Sequence, residues 1–309
     1  MKKIIIFLAG FVVLLVLASA AVKPAAGEVY DIINTDRKLS EVAAESDDTI
    51  DVMFAGNSLL FHGVSPLQIW SETGITSYDL SEGAMRLCDQ SALIMSTYDK
   101  QTPELLVIEP TLIFDNASPY KDDYAIPTNF IEKIFPIFHY HTFYKAIKLS
   151  GEDESERSLF KGFEGSYDVD PYKKDPDYMQ KEADPATIPE INRKYLSEIV
   201  DFCREKNIGI LLIAMPSPKN YNMGIHNALQ EWADANGIPF IDTNLMTDEI
   251  GINWETDTKD RGDHLNFEGS KKVTGFIADY LRENYDLADH RGDDRYSQWD
   301  AELAEAGVY

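Results

Sequence analysis

The sequence predicts an α/β fold in which a doubly wound parallel sheet lies between two layers of helices. Short apolar runs such as "TIDVMFAG" and "GILLIAMP" recur along the chain, and amphipathic helical stretches separate them. Continuous apolar runs of this length suit parallel strands that are buried on both faces. Strands that alternate with helices favour crossover connections, and therefore a three-layer α/β/α arrangement.

The first element, residues 1–23, has the pattern of an export signal. Lys2 and Lys3 precede an almost unbroken apolar run from Ile4 to Val22. The Ala-Ser-Ala at 18–20 fits a cleavage site, but about 19 apolar residues also suffice to span a bilayer. A cleaved signal peptide and an uncut N-terminal membrane anchor both remain open. In either case we expect the rest of the chain to work outside the cytoplasm, held at the cell membrane or secreted.

Residues 24–48 are predicted to be a linker, and residues 49–286 the α/β domain. Five strands are expected to end at Gly56, Leu80, Pro110, Pro216 and Asn244. Amphipathic periodicity predicts helices over Ile191–Lys206, Gly224–Asn236 and Glu268–Tyr285. The Asn and Gly residues in "EKNIGI" and "DANGIP" are typical of helix ends, and each segment leads into the next predicted strand.

Two segments do not follow this alternation of strands and helices. Residues 111–190 are rich in aromatics, Asp and Pro and are too long for an ordinary connection, so they form a helical and irregular insertion. The insertion follows the third strand at the sheet edge where ligands bind, and we expect it to shape a substrate cleft. Residues 287–309 form an acidic C-terminal tail, with a loop and a short helix that pack or are solvated.

The charge balance excludes one class of partner. Acidic residues outnumber basic ones by 53 to 28, giving a formal net charge of −25. Nucleic-acid binding requires clustered Lys and Arg, so we expect no nucleic-acid partner. The two cysteines, Cys88 and Cys203, both lie in helical contexts and are expected to be free thiols rather than a disulfide framework.

A serine follows the first predicted strand in "FAGNSLLFHGVSP". Gly56 is expected to take backbone angles closed to other residues, and the turn would lift Ser58 out of the sheet at its carboxyl edge. The helix that begins there would direct free N–H groups toward a developing anion. The alternative is that Ser58 is an ordinary helix N-cap.

A serine nucleophile needs an imidazole base and an acid that orients it. His264, in "DTKDRGDHLNFEGSKKVT", lies in an acidic loop before the last helix and could meet Ser58 at one edge of the sheet. His62 is expected to pack rather than to line the pocket. Ser217 is expected to form a turn at the cleft rim rather than to act as a second nucleophile, and Asn266 to cap the last helix rather than to contact substrate. His139 and His141 lack a third ligand in the sequence nearby, so we expect no metal and no cofactor.

These two motifs resemble the end blocks of the SGNH/GDSL hydrolase superfamily, whose fold is a flavodoxin-like α/β/α sandwich. Asn57 stands where the commoner motif has Asp. Middle segments such as "HYHTFYKAI", "KGFEGSY" and "AMPSPKNYN" extend the resemblance over most of residues 50–285. Together they resemble exported bacterial members related to the D-alanyl transfer protein of teichoic-acid modification and to alginate O-acetylation proteins.

The resemblance implies that Ser58 is the nucleophile and His264 the base. The family usually places the orienting Asp three residues before the His, but Arg261 occupies that position, which leaves Asp260 and Asp263. Asp260 is favoured, because neighbouring side chains in an extended loop point apart and Gly262 eases a wider turn.

The oxyanion donors implied by the resemblance are Ser58, Gly83 and Asn57. The family's Gly-x-Asn-Asp block is missing, since the chain continues "IEPTLIFDNAS" after the third strand, and Asn116 is only a weak substitute.

The sequence thus predicts an extracytoplasmic serine esterase or O-acyltransferase acting on an acylated carbohydrate or cell-envelope polymer. The alternative is a non-catalytic glycan-binding or assembly module with a degraded site, which the missing block and the displaced Asp favour. The joint presence of the Ser and His motifs at opposite ends of the domain favours catalysis.

Overall fold

The computed structural model describes residues 2–31, 35–83, 86–98, 100–114, 158–174, 177–180 and 182–308. These residues fall into two compact units. The first contains helices α1 (Lys2–Asp31) and α2 (Thr35–Ala43), so helical structure covers much of the segment predicted as a linker. No helix in the described residues is long and apolar enough to cross a membrane.

The second unit begins at Glu45 and is built on a five-stranded sheet in which all neighbouring strands are parallel. Its strand order, β2-β1-β3-β4-β5, is the flavodoxin-like order of doubly wound folds. The predicted α/β fold is therefore confirmed, and each strand lies where an apolar run predicted it. The strands are β1 (Val52–Ala55), β2 (Ser77–Asp79), β3 (Leu105–Ile108), β4 (Gly209–Ala214) and β5 (Phe240–Asp242).

Helices connect the strands and end close to the predicted positions. The helix before β4 ends at Asn207 and the helix before β5 at Gly237, both in the left-handed conformation that closes helices. The helices of this unit are α3 (Ser58–Phe61), α4 (Pro66–Thr73), α5 (Leu87–Thr97), α6 (Glu190–Lys206), α7 (Met223–Asn236), α8 (Thr247–Ile250), α9 (Phe267–Asn284) and α10 (Ser297–Ala306).

Alternating side chains of the strands supply the core on both faces of the sheet. Phe54 and Val107 lie in register on β1 and β3 and share an apolar cluster with Ile277 of α9. Met53 and Leu106, their neighbours along the two strands, line a small cavity with residues of α5 and α6. Strand side chains alternate between faces, so helices cover both sides and the sheet is the middle of three layers.

Only parts of the predicted insertion are described. Pro110–Phe114 forms a 3₁₀ turn after β3, and residues 158–174 contain a turn at 159–162 and otherwise no regular secondary structure. Residues 115–157, which include Asn116, His139 and His141, lie outside the described residues.

The C-terminal tail packs onto α4 rather than extending into solvent. Trp299 and Tyr296 form an apolar cluster with Trp70 and Leu67, and the Trp70 indole N–H donates to Asp300 at 3.0 Å.

Candidate active site

Ser58 lies at the carboxyl edge of the sheet, three residues beyond the end of β1. The chain passes very close to β3 at Gly56, where an added Cβ would lie 2.6 Å from the Glu109 Cβ. Gly56 does not adopt a positive φ, so the expectation of special backbone angles is wrong. Only glycine fits here because any side chain would collide with the neighbouring strand.

Asn57, not Ser58, is the N-cap of α3. Its Oδ1 accepts the Leu59 N–H at 2.9 Å, and its Nδ2 donates to Thr111 Oγ1 at 2.9 Å. Thr111 in turn donates to the carboxylate of buried Glu109 at 2.5 Å. The N-cap interpretation of Ser58 is therefore wrong, since Asn57 does the capping and the serine hydroxyl is left for another partner.

His264 is held by a tightly folded loop between β5 and α9. Arg261 and Gly262 have positive φ values of 64° and 81°, which reverse the chain. Thr258 ties both sides of the turn together, because its Oγ1 accepts the Gly262 N–H at 2.8 Å and donates to the His264 carbonyl at 2.9 Å. Asn266 ends the loop as the N-cap of α9, as the sequence predicts.

Ser58, His264 and Asp260 form a continuous hydrogen-bonded chain. Ser58 Oγ lies 2.7 Å from His264 Nε2, and His264 Nδ1 lies 2.6 Å from Asp260 Oδ2. A carboxylate only accepts, so Nδ1 carries the proton and Nε2 accepts the serine hydroxyl. An imidazole in this tautomer is arranged to take the Ser58 proton.

The structure distinguishes the two candidate orienting carboxylates. Asp260 accepts both the His264 backbone N–H, at 2.7 Å, and the ring N–H. The Asp263 carboxylate lies 3.8 Å from Nδ1 and instead accepts from Asn220 at 2.6 Å and Lys219 at 3.2 Å. Burial raises the pKa of Asp263, but the Asn220 hydrogen bond and the nearby His264 and Lys219 outweigh it, and the pKa lies below its ordinary value.

The same three side chains are spaced closely enough to suggest a metal site. Atoms of Asp260, Asp263 and His264 lie within 4.8 Å of one another. However, Asp263 is occupied by a lysine and an amide, and both ring nitrogens of His264 have partners. The donors fit a proton-transfer chain better than a cation site.

The three candidate oxyanion donors differ in their surroundings. Ser58 is partly exposed and its backbone N–H makes no hydrogen bond to the described residues. Gly83 lies in an exposed turn after β2, where an added Cβ would meet no atom within 4 Å. The Asn57 amide is engaged at both ends in the turn, so only its second Nδ2 hydrogen is available.

Two side chains near His264, those of His62 and Lys259, make contacts in the site that the sequence does not predict. The His62 ring lies 5.2 Å from the His264 ring, centroid to centroid, at 76°. Its Nε2 lies 2.6 Å from Lys259 Nζ. No local pattern reveals this contact, because His62 and Lys259 are 197 positions apart.

Ser217 is a structural residue of the loop rather than a second nucleophile. It is fully buried, and its hydroxyl donates to the Asp263 carbonyl at 2.8 Å, while its N–H donates to Asn244 at 2.9 Å. The turn after β4 thereby supports the segment that carries His264.

An open groove of about 700 Å³ lies at the carboxyl end of β5. One wall is the segment around Tyr172, whose ring packs beside Gly262 of the His264 loop. Tyr172 and Tyr178 both meet the Trp254 ring edge-on. The rest of the lining is mainly polar and includes Lys173, Lys174, Asp177, Gln180, Asn244, Thr247, Asp248, Asn253 and Glu255.

Comparison with known proteins gives only distant structural likenesses. No protein-family model and no curated protein matches the chain. A proposed acylhydrolase from Bacteroides fragilis is 14% identical with a TM-score of 0.39, covering 80% of this chain and 93% of that one. A GDSL-like lipase from Bacteroides thetaiotaomicron is 13% identical with a TM-score of 0.39, covering 82% and 98%. A proposed platelet activating factor from Streptococcus pneumoniae is 11% identical with a TM-score of 0.42, covering 91% and 99%. Likenesses this weak do not assign an activity, so the function has to be argued from the site itself.

Proposed function

We propose that this protein is a serine esterase or O-acyltransferase that acts on acyl esters. The observation that carries the proposal is the hydrogen-bonded chain from Ser58 through His264 to Asp260. The tautomer of His264, its hydrogen-bond distances to Ser58 and Asp260, and the partial exposure of Ser58 all suit nucleophilic attack by the serine. The two motifs around these residues further support membership of the SGNH/GDSL superfamily, in its exported acyl-transfer group.

In the proposed mechanism, Ser58 Oγ attacks the acyl carbonyl carbon while its proton passes to His264 Nε2. Asp260 stabilises the imidazolium, and the N–H groups of Ser58 and Gly83 donate to the oxyanion. His264 then returns the proton to the departing alkoxide, and the acyl group remains on Ser58. Water or a sugar hydroxyl attacks this ester with His264 again as the base. The bond between the acyl group and Ser58 Oγ then breaks, Ser58 Oγ takes the proton back from His264, and the acid or the acylated acceptor leaves.

We further propose that the substrate is an acylated cell-envelope glycopolymer. The N-terminal Lys-Lys and apolar run support a site of action outside the cytoplasm, at the membrane or free of it. The open, polar groove at the end of β5 suits the non-reacting part of a long hydrophilic chain better than a closed apolar pocket would.

Labelling of the full chain with a fluorophosphonate, followed by intact mass, tests the proposal. We expect one adduct on the wild type, none on Ser58→Ala or His264→Ala, and an unchanged adduct on Ser197→Ala, a matched control on the exposed surface of α6. A folded wild type that takes no adduct would contradict the proposal and favour the glycan-binding module. If the wild type takes the label, a second assay uses the unlabelled protein. Release of acid from an acetylated oligosaccharide, measured with and without a free sugar acceptor, then separates hydrolysis from transfer.

A further inference from the structure

A second histidine lies against the proposed base. His62 follows Ser58 by four residues and ends helix α3, and its ring meets the His264 ring at 5.2 Å and 76°. The contact adds a packed imidazole to the partners that His264 already has in Ser58 and Asp260. A packed ring at this position opposes rotation of His264 away from the serine.

The hydrogen bonds of His62 fix its protonation state. Nδ1 lies against the carbonyl oxygen of Glu164, an acceptor, so this nitrogen carries the proton. Nε2 therefore accepts, and its donor is the Lys259 ammonium 2.6 Å away. Burial and the nearby charges of Lys259 and His264 lower the pKa of His62 to about 4, despite the opposing effect of the Glu164 carbonyl. His62 is thus a neutral link between Lys259 and the His264 ring at neutral pH.

Lys259 is a cation in largely acidic surroundings. Burial lowers its pKa, and the neighbouring carboxylates act in the opposite direction. The other charged groups facing this cluster come from three places: the His264 loop, the turn after β4 and the segment 164–168. They are Asp260, Asp263, Lys219, Glu164 and Asp168.

We propose that Lys259 and His62 are positioning residues for His264: the Lys259 ammonium holds the His62 ring by its hydrogen bond to Nε2, and the His62 ring packs against His264 and holds it toward Ser58. This inference rests on the proposed function. A base that is held within reach of the serine proton reacts faster than one that rotates away, so loss of this support slows attack by Ser58.

The test is the rate of fluorophosphonate labelling of the full chain at pH 7.5. Lys259→Met removes the donor to His62, Lys259→Arg and Lys259→Gln keep a donor, and Lys100→Met removes an exposed lysine paired only with Asp47 among the described residues. In Lys259→Met we expect labelling to slow by roughly three- to tenfold. Lys259→Arg and Lys259→Gln are expected to restore most of the rate, and Lys100→Met to keep the wild-type rate.

The outcomes separate this inference from the proposed function. A wild type that takes the label, together with an unchanged rate in Lys259→Met, overturns the inference alone. A loss of the same size in Lys100→Met, or a loss that neither Lys259→Arg nor Lys259→Gln restores, also overturns it, because the hydrogen bond to His62 would then not be responsible. A wild type that takes no label overturns the proposed function and this inference with it. Circular dichroism checks folding, and His62→Leu, which removes the acceptor, is the second variant if Lys259→Met does not fold.

Discussion

Asp260 holds His264 at two points, which explains how an aspartate four residues upstream can orient the ring. One carboxylate oxygen accepts the His264 backbone N–H and the other accepts Nδ1–H. The positive φ values of Arg261 and Gly262 turn the chain back so that both contacts form. Because the backbone contact holds the carboxylate independently of the ring contact, the relative orientation of Asp260 and the His264 ring is restricted at two points.

Exchange of the two loop aspartates for asparagine should therefore have unequal effects. Asp260→Asn permits the wrong tautomer of His264, and we expect the rate of ester cleavage or labelling to fall by about 10³- to 10⁴-fold. Asp263→Asn retains contact with Asn220 and Lys219 and should cost less than about tenfold. Rates measured at pH 7.5 on both variants check this. Similar losses in the two variants would show that Asp263 shares the orienting role.

The sequence predicts the principal residues of the site but not their supports. Ser58 and His264 follow from motifs at the ends of a strand and a loop, and the turn chemistry at Gly262 favours Asp260. By contrast, His62 and Lys259 meet only in the folded chain, 197 positions apart. Tertiary contacts of this kind leave no local periodicity or spacing, so sequence reasoning has nothing from which to infer them.

At the scale of elements, α3 is only one turn long and depends on its cap. Asn57 accepts the Leu59 N–H and also reaches Thr111 beyond β3, so one side chain joins the start of the helix to the neighbouring strand connection. A helix this short gains little from its own hydrogen bonds. The position of Ser58 therefore depends on the cap and on the buried leucines that follow it.

Removing this cap should separate stability from activity. Asn222 caps α7 through two backbone N–H groups in a similar way and provides the matched control. We expect Asn57→Ala and Asn222→Ala each to lower the free energy of unfolding by about 1 kcal/mol. Only Asn57→Ala should also slow labelling of Ser58, by about tenfold or more, because the serine loses its fixed position. Urea unfolding and labelling rates test both parts. Equal labelling rates would mean that the leucines alone position the serine.

The elements of the sheet were predictable because their boundaries have local causes. Asn207 and Gly237 end α6 and α7 in the left-handed conformation, and each apolar run between turns became a strand. The described part of the insertion was not predictable in detail. Residues 158–174 show neither the helical nor the strand periodicity of apolar residues. Their conformation follows from contacts with the rest of the unit, such as the hydrogen bond from the Glu164 N–H to the Phe61 carbonyl.

At the scale of the whole α/β unit, a buried ion cluster fastens the C-terminal helix. The Lys161 ammonium is fully buried and lies 2.8 Å from the Glu45 carboxylate and 2.5 Å from that of Glu302. It also lies 4.6 Å from the centroid of the Trp299 ring. One lysine thus joins the start of the unit, the segment after residue 157 and the tail. The tail, for which the sequence left packing and solvation open, is an integral part of the unit.

Replacing this lysine should be costly. Lys161→Met leaves two carboxylates facing each other without their cation, and we expect a loss of about 3 to 5 kcal/mol in the free energy of unfolding. Lys100→Met, which breaks the exposed pair with Asp47, should cost no more than about 1 kcal/mol. Denaturant unfolding of both variants measures the difference. Comparable small losses would indicate that the apolar contacts of Trp299 hold α10 without the ion cluster.

The contact between Ser58 and His264 has a consequence for the order in which the molecule becomes competent. The two residues are 206 positions apart, and between them lies nearly the whole sheet. A chain that emerges from its amino end presents the serine early, but the imidazole arrives only with the loop before α9. The proposed nucleophile therefore has no partner imidazole from this loop until the chain has emerged beyond His264.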